Sequence, residues 1–175
     1  GFGPGDLVYF SPRSYTQPYY NIDTIIAAAV RVREREPRAR FLFAGYEGDP
    51  APFAARARAA GLDDTVRVVG RIPHREFAAA LNACDVFLSV PSVDATAVSL
   101  LEAMSCGRAI IVSALASAME WVEDGVSGRV VPPRDVERLT AAMLAYAADP
   151  DLRRTHGDAA LAVARAEAGF DANMR

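Results

Sequence analysis

Ser89-Val90-Pro91-Ser92-Val93-Asp94-Ala95-Thr96-Ala97-Val98-Ser99-Leu100-Leu101-Glu102-Ala103-Met104-Ser105-Cys106-Gly107 is the stretch whose reading decides the fold. It leaves a short apolar run, breaks at a proline, crosses a loop of small residues and resumes with helical spacing up to a glycine. Strand, loop and helix in that order make one unit of a parallel sheet with helices packed on it. The same alternation recurs on both sides of this stretch. Strands are expected at Leu7–Ser11, Arg40–Ala44, Val66–Val69, Val86–Val90, Ala109–Ser113 and Arg129–Val131. Helices are expected at Asn21–Arg35, Pro52–Ala60, Arg75–Asn82, Ala97–Cys106, Ser117–Glu123, Val136–Ala148 and Asp151–Ala168. The fold class that follows is α/β: a single Rossmann-like doubly wound domain over residues 1–175, with a six-stranded parallel sheet flanked by helices.

Punctuation agrees with periodicity. Gly61 and Gly107 stand just past helical stretches, where a left-handed residue closes the last turn. Asp135 follows Pro132-Pro133 at an N-cap position, and Asp124-Gly125 with Ser127-Gly128 forms a turn before the last strand. No stretch has the composition of a linker.

At 175 residues the chain has a core without needing staples, since a domain of this size buries roughly 70% of its unfolded surface. Hydrophobic residues make up 51% and charged residues 23%, which excludes a disordered or collagen-like chain. A formal charge of −3 argues against nucleic acid as a partner. All 19 Lys+Arg positions are arginine, so the familiar lysine grip on a phosphate is missing. Cys84 and Cys106 lack metal or redox spacing and are expected to be buried thiols; no metal is called for. No apolar run is long enough to span a bilayer and no signal peptide opens the chain, which makes the cytoplasm the expected location. The chain opens at Gly1 without an initiator Met and is expected to be a piece of a longer protein.

The chemistry sits in the opening stretch. The helix after the Asp94 loop starts with free N–H groups at the carboxyl edge of the sheet, where an anion is favoured. Glu102 is a carboxylate among Val98, Leu101, Ala103 and Met104, costly there unless it is paired or faces a ligand. Its geometry suits the vicinal hydroxyls of a ribose, and Asp94 suits a second hydroxyl-bearing part of the same ligand. The structural alternatives are that Asp94 caps the helix and that Glu102 pairs with an arginine.

These residues resemble the acidic-x7-Glu segment of the retaining GT-B glycosyltransferases of family 4, whose usual form is Glu-Gly-Phe-Gly followed by a Leu-Glu-Ala-Met-Ala-Cys-Gly helix. Leu101-Glu102-Ala103-Met104 and Cys106-Gly107 match it. Phe43-Ala44-Gly45, Val68-Val69-Gly70-Arg71-Ile72, Ala83-Cys84-Asp85-Val86-Phe87 and Glu120-Trp121-Val122-Glu123-Asp124-Gly125 with Gly128 resemble further blocks in the same order. The resemblance implies the C-terminal, donor-binding half of a GT-B fold, with the N-terminal acceptor-binding domain absent from this chain. It implies an enzyme that transfers a sugar from a nucleoside-diphosphate sugar with retention, without metal or cofactor, in polysaccharide or glycolipid biosynthesis. The implied partners are the nucleotide-sugar donor, the missing N-terminal domain and an acceptor sugar or lipid-linked glycan. Carried over by position, Arg13, Asp94 and Glu102 are the implied catalytic residues. Donor binding falls to the turn Gly70, Arg71 and Ile72, to Ala95, Thr96, Ala97, Val98 and Ser99, and to Ser117.

Three departures stand out. The family's usual lysine falls near Tyr20, and no lysine replaces it, so leaving-group stabilisation is expected to be weaker or differently built. Ser117 stands where a glycine is usual and is expected to crowd the diphosphate. Asp94 replaces the commoner Glu and has a shorter reach.

Other features have plainer readings. Gly1-Phe2-Gly3-Pro4-Gly5 precedes the first strand and so is not a dinucleotide loop. His74 is expected on the surface, with a place near the base or diphosphate as the other reading, His156 on a solvated face of the last helix, and Trp121 under the last strand. Arg31, Arg33, Arg35, Arg38 and Arg40 complement the dipole of the first helix, with a peripheral contact to the inner face of an anionic membrane as the second reading. The rival functions are a degenerate nucleotide-sugar-binding module and a sugar-nucleotide epimerase on the same fold. A phosphorylase using pyridoxal phosphate is excluded by the absence of lysine.

Overall fold

The computed structural model describes residues 2–45 and 49–167; Gly1 of the opening glycine run and Ala168, the expected end of the last helix, lie outside the described residues. Its strands are β1 (Leu7–Ser11), β2 (Ala39–Ala44), β3 (Val66–Val69), β4 (Val86–Ser89), β5 (Ala109–Ser113) and β6 (Arg129–Val131). They form one sheet in the order β3-β2-β1-β4-β5-β6, and every neighbouring pair is parallel. The helices are α1 (Ile22–Arg33), α2 (Ala51–Ala59), α3 (His74–Asn82), α4 (Val98–Ser105), α5 (Ala116–Met119), α6 (Val136–Ala148) and α7 (Pro150–Glu167).

The two-residue period of the strands explains why both faces are covered. Leu7 and Tyr9 pack with Ile25, Phe53 and Met143 from α1, α2 and α6, whereas Val8 and Phe10 pack with Phe77, Leu100 and Met104 from α3 and α4. A central strand buried on both faces has no polar alternation, which is why β1 reads as an unbroken apolar run. Tyr9 stacks on Phe41 at 5.3 Å, and its hydroxyl donates to the Met143 carbonyl at 2.7 Å, fixing α6 over the sheet. The Asp85 carboxylate accepts the Val8 N–H at 2.7 Å and sets the start of β1 against β4.

The expected turn residues hold. Gly61, Gly107 and Gly125 have positive φ, and Asp135 caps α6 by accepting the Arg138 N–H at 2.8 Å. A single 3-10 turn at Pro18–Tyr20 precedes α1.

Three expectations need correction. The helix expected at Ser117–Glu123 ends at Met119, because the Glu123 N–H is taken by the Ser127 hydroxyl at 3.0 Å and Val122 turns into the core. His156 is not solvated: it is 2% exposed, with Nδ1 2.8 Å from the Tyr146 hydroxyl. It shares an inward stripe of α7 with Gly157, Ala160 and Ala164. Of the two free thiols, Cys84 is buried and Cys106 only partly so, since it closes the last turn of α4. Burial pushes the Cys84 thiol up to about 12.

Four of the five clustered arginines meet carboxylates: Arg31 pairs with Glu137, Arg33 with Asp64, Arg38 with Glu36 and Arg40 with Asp6. Most of that patch is therefore neutralised locally. Trp121 is half-buried against the second core face, on which Val130 of β6 also packs. No described helix is long and apolar enough to cross a membrane.

Candidate functional site

The topological switch lies between β1 and β4, whose following helices pack on opposite faces and leave a crevice at the carboxyl edge. Arg13 stands two residues past β1 and reaches across this crevice. Its Nε donates to the Ser89 hydroxyl at the end of β4 at 2.8 Å, and a terminal nitrogen lies 2.9 Å from an Asp94 carboxylate oxygen. The guanidinium also lies over the Tyr20 ring, 5.4 Å from its centroid. Burial pushes the Tyr20 phenol above its ordinary value, against the opposing pull of Arg13. The Arg13 and Asp94 side chains are 12% and 22% exposed, so the pair adds little net stability and acts chiefly to fix geometry. The structural alternative for Asp94 fails, because Asp94 pairs with Arg13 and the residue at the N-cap of α4 is Ala97.

No side chain caps α4. The first N–H groups of that helix, contributed by Val98 and Ser99, are left to solvent or to a ligand. Ala95, Thr96 and Val98 are exposed along the approach, and Ala97 and Ser99 are partly covered. Ser117 lies across from them and donates its hydroxyl to the Asp94 carbonyl at 2.9 Å, tying α5 to the loop before α4. Arg13, Ser89, Asp94, Ala97 and Ser117 all line one narrow opening that encloses only about 10 Å3, room for a single water. The Ser117 side chain thus occupies the cleft in which a glycine would leave space.

Glu102 lies one turn further along α4. Its side chain is 28% exposed, and one oxygen is 3.3 Å from His74 Nδ1 at the start of α3. Glu102 therefore has a histidine as its side-chain neighbour where an arginine was the alternative. His74 is on the surface as expected, with 89% of its side chain exposed. Helix α3 follows directly on the turn Gly70, Arg71 and Ile72, so Glu102 faces that turn's neighbourhood. Arg71 and Ile72 line a second opening with Pro12 and Gly45, next to Arg13. Gly45 has no room for a side chain there, since a Cβ would sit 2.3 Å from the Tyr15 ring.

The expected residues thus fall into two adjoining groups along one edge: Arg13, Asp94, Ser117 and the start of α4 at the crevice, and Glu102, Gly70, Arg71 and Ile72 beside α3. The sequence reading missed Ser89, which orients Arg13, and His74 as the neighbour of Glu102. It also missed Asn21, whose side-chain amide donates to the Val90 carbonyl at 2.9 Å and to Ser92 Oγ at 2.8 Å. The asparagine immediately before the first helix is the local signal that could have marked it, and its backbone is left-handed, φ 52°. Among the described residues no three His, Cys, Asp or Glu groups gather as they would around a metal.

The family described as "Glycosyl transferases group 1" matches residues 7–162. The chain belongs to the group 1 glycosyltransferases. This group 1 glycosyltransferase chain is 34% identical over 155 residues to the D-inositol 3-phosphate glycosyltransferase of Kribbella flavida, covering 83% of this chain and 36% of that protein. Its fold matches the C-terminal domain of a glycosyl transferase group 1 family protein (LpcC) from Francisella tularensis, with a TM-score of 0.85, 18% identity, and 95% and 88% of the two chains covered. It also matches Anabaena Alr3699/HepE in complex with UDP-glucose, with a TM-score of 0.81, 21% identity, and 91% and 44% of the chains covered. The chain spans a little over a third of the length of the curated relatives it matches.

Proposed function

We propose that this chain is the C-terminal, donor-binding domain of a two-domain GT-B enzyme that transfers a sugar from a nucleoside-diphosphate sugar with retention. Its acceptor is a sugar or a lipid-linked glycan, in polysaccharide or glycolipid synthesis, and its place of work is the cytoplasm. The observation that carries this reading is the order of groups along the carboxyl edge. The turn at residues 70–72 can take the base through its main chain, Glu102 beside it the ribose hydroxyls, and the uncapped start of α4 with Arg13 the diphosphate. That order runs in the direction in which base, ribose and diphosphate are joined. Asp94 then stands beyond the phosphates, where the sugar begins. The UDP-glucose held by the Anabaena protein of the same fold supports a nucleotide sugar as the donor class.

The work of each group follows from its chemistry. Glu102 accepts two hydroxyl hydrogen bonds and anchors the nucleoside. The N–H groups of Val98 and Ser99 hold oxygens of the diphosphate, whose negative charge grows as the bond to the sugar breaks; fixed dipoles there favour departure. Arg13 adds positive charge at the same end. Its pairing with Asp94 supports one other reading, a binding module too poorly charged to release a leaving group.

Calorimetric titration with UDP, GDP and ADP tests the proposal. One base should bind in the range of about 1 μM to 1 mM. Glu102→Ala should weaken that binding about tenfold or more while leaving the melting temperature within a few degrees. Binding indifferent to Glu102→Ala removes the nucleoside assignment, and absence of binding by all three removes the donor site.

A further inference from the structure

A diphosphate at the β1–β4 crevice meets a local charge deficit. Arg13, the cation that reaches into the crevice, has its charge balanced by Asp94 at 2.9 Å. A cation that is not already matched to a carboxylate strengthens the binding of a multiply charged anion beyond what the N–H groups of α4 supply.

One such cation is bonded to a residue that holds the loops framing the crevice. Arg134 lies between β6 and α6, and among the described residues no carboxylate pairs with it. Its Nε donates to Asn21 Oδ1 at 3.2 Å. Asn21 in turn holds the Val90 carbonyl and Ser92 Oγ, and the Ser92 N–H donates to the Tyr19 carbonyl at 2.7 Å. Arg134 is thereby moored to the two loops that leave β1 and β4, the ones that carry Tyr20 and Asp94. One guanidinium N–H is spent on the mooring, and the terminal nitrogens keep their donors.

The backbone of Arg134 is also unusual. Its φ is 62°, and it shares the left-handed region with Asn21 alone among the described non-glycine residues. An L residue with a long side chain avoids this conformation, which a glycine takes freely. Backbone held against preference gathers at functional sites, where the side chain is what the position is kept for. The side chain kept here is a cation that no described carboxylate matches, bonded to Asn21 beside the loop that leaves β4.

We propose that Arg134 is a diphosphate-binding residue, supplying at the β1–β4 crevice the positive charge that Asp94 offsets on Arg13. This inference rests on the donor-site reading above. Its test uses calorimetry on the 175-residue chain with two probes, inorganic pyrophosphate and whichever of UDP, GDP and ADP binds the parent. Arg134→Gln should weaken both probes about tenfold and flatten the salt dependence of binding, and Arg134→Lys should restore much of the loss. Glu102→Ala should weaken the nucleotide and spare pyrophosphate, which has no ribose.

Stability separates a ligand role from a structural one. Arg134→Gly relieves the backbone, so its melting temperature should equal or exceed the parent's while its affinity falls as in Arg134→Gln. Nucleotide binding by Arg134→Gln equal to the parent's overturns the proposal and leaves the donor site standing. Arg134→Gly that loses stability along with affinity makes Arg134 a mooring for Asn21 only, and also overturns it. A parent chain that binds neither probe overturns the donor site and this inference together.

Discussion

Burial holds the His156 ring below its ordinary pKa, and Arg129 pushes in the same direction, against the hydrogen bond the ring donates to the Gly125 backbone and the charge of Asp124. The sign of the consequence is fixed. An unfolded chain takes up a proton at the ordinary histidine value of 6.5, whereas the folded one resists until a lower pH, so between the two values the unfolded state binds more protons. The contribution of His156 is therefore complete above 6.5 and is lost as pH falls through the folded value. Thermal melts from pH 7.5 down to 4.5 should show the parent losing melting temperature more steeply than His156→Gln below about 6.5. Parallel curves would mean that the ring titrates no differently in the fold. The position was legible in principle, since His156, Ala160 and Ala164 recur at the four-residue spacing of a buried helix stripe. Grouping it with its polar neighbours Arg153, Arg154 and Asp158 hid that period. The Arg13–Asp94 pair was not legible in the same way: no local pattern joins two residues on different strands' loops, and only the folded sheet edge brings them to 2.9 Å.

At the scale of elements, α7 crosses the end of α4 with backbone set close against backbone. A Cβ placed on Gly157 would lie 2.3 Å from the Gly107 carbonyl oxygen and 3.1 Å from its carbon. Backbone cannot yield as a side-chain tip can, so Gly157→Ala must lift α7 from the second core face. The expected cost is about 2–3 kcal/mol, or a melting temperature lower by roughly 5–10 °C for a domain of this size. A change of less than about 2 °C would show that the helix crossing is looser than this contact implies. Gly157 drew no notice in the sequence, because a glycine within a polar helical stretch looks only like a weak point. The strands were far more legible. Their apolar, β-branched runs sit between glycine, proline and aspartate, and the central β1, β4 and β5 are buried along their whole length. Helix limits moved by one or two residues, as first and last turns lack a periodic partner. The end of α5 moved furthest, because a hydroxyl from Ser127, four residues ahead of Glu123, decides where it stops.

For the whole molecule, the open side of the site governs what the chain can do. The carboxyl edge carries exposed apolar residues at its rim, namely Tyr19, Val93, Val98 and Met119. The crevice behind them encloses only about 10 Å3, so a bound donor would rest on the edge with one side in water. Sugar transfer needs that side closed, both to strengthen the dipoles acting on the leaving group and to keep water from taking the acceptor's place. The described residues leave that side open, and the chain matches only 36% of the length of its Kribbella flavida relative. Binding and turnover should therefore separate. Given the nucleotide sugar whose diphosphate it binds, the chain should bind the donor and release nucleoside diphosphate at well under about a thousandth of the turnover usual for enzymes, roughly 10 per second. A coupled assay for the released nucleotide, run with and without a candidate acceptor, decides this. Multiple turnovers approaching the enzymatic rate would mean that the edge completes its own site. In that case the rim formed by Val93, Val98 and Met119 would be the seat of the acceptor, and the second domain proposed above would not be required for transfer.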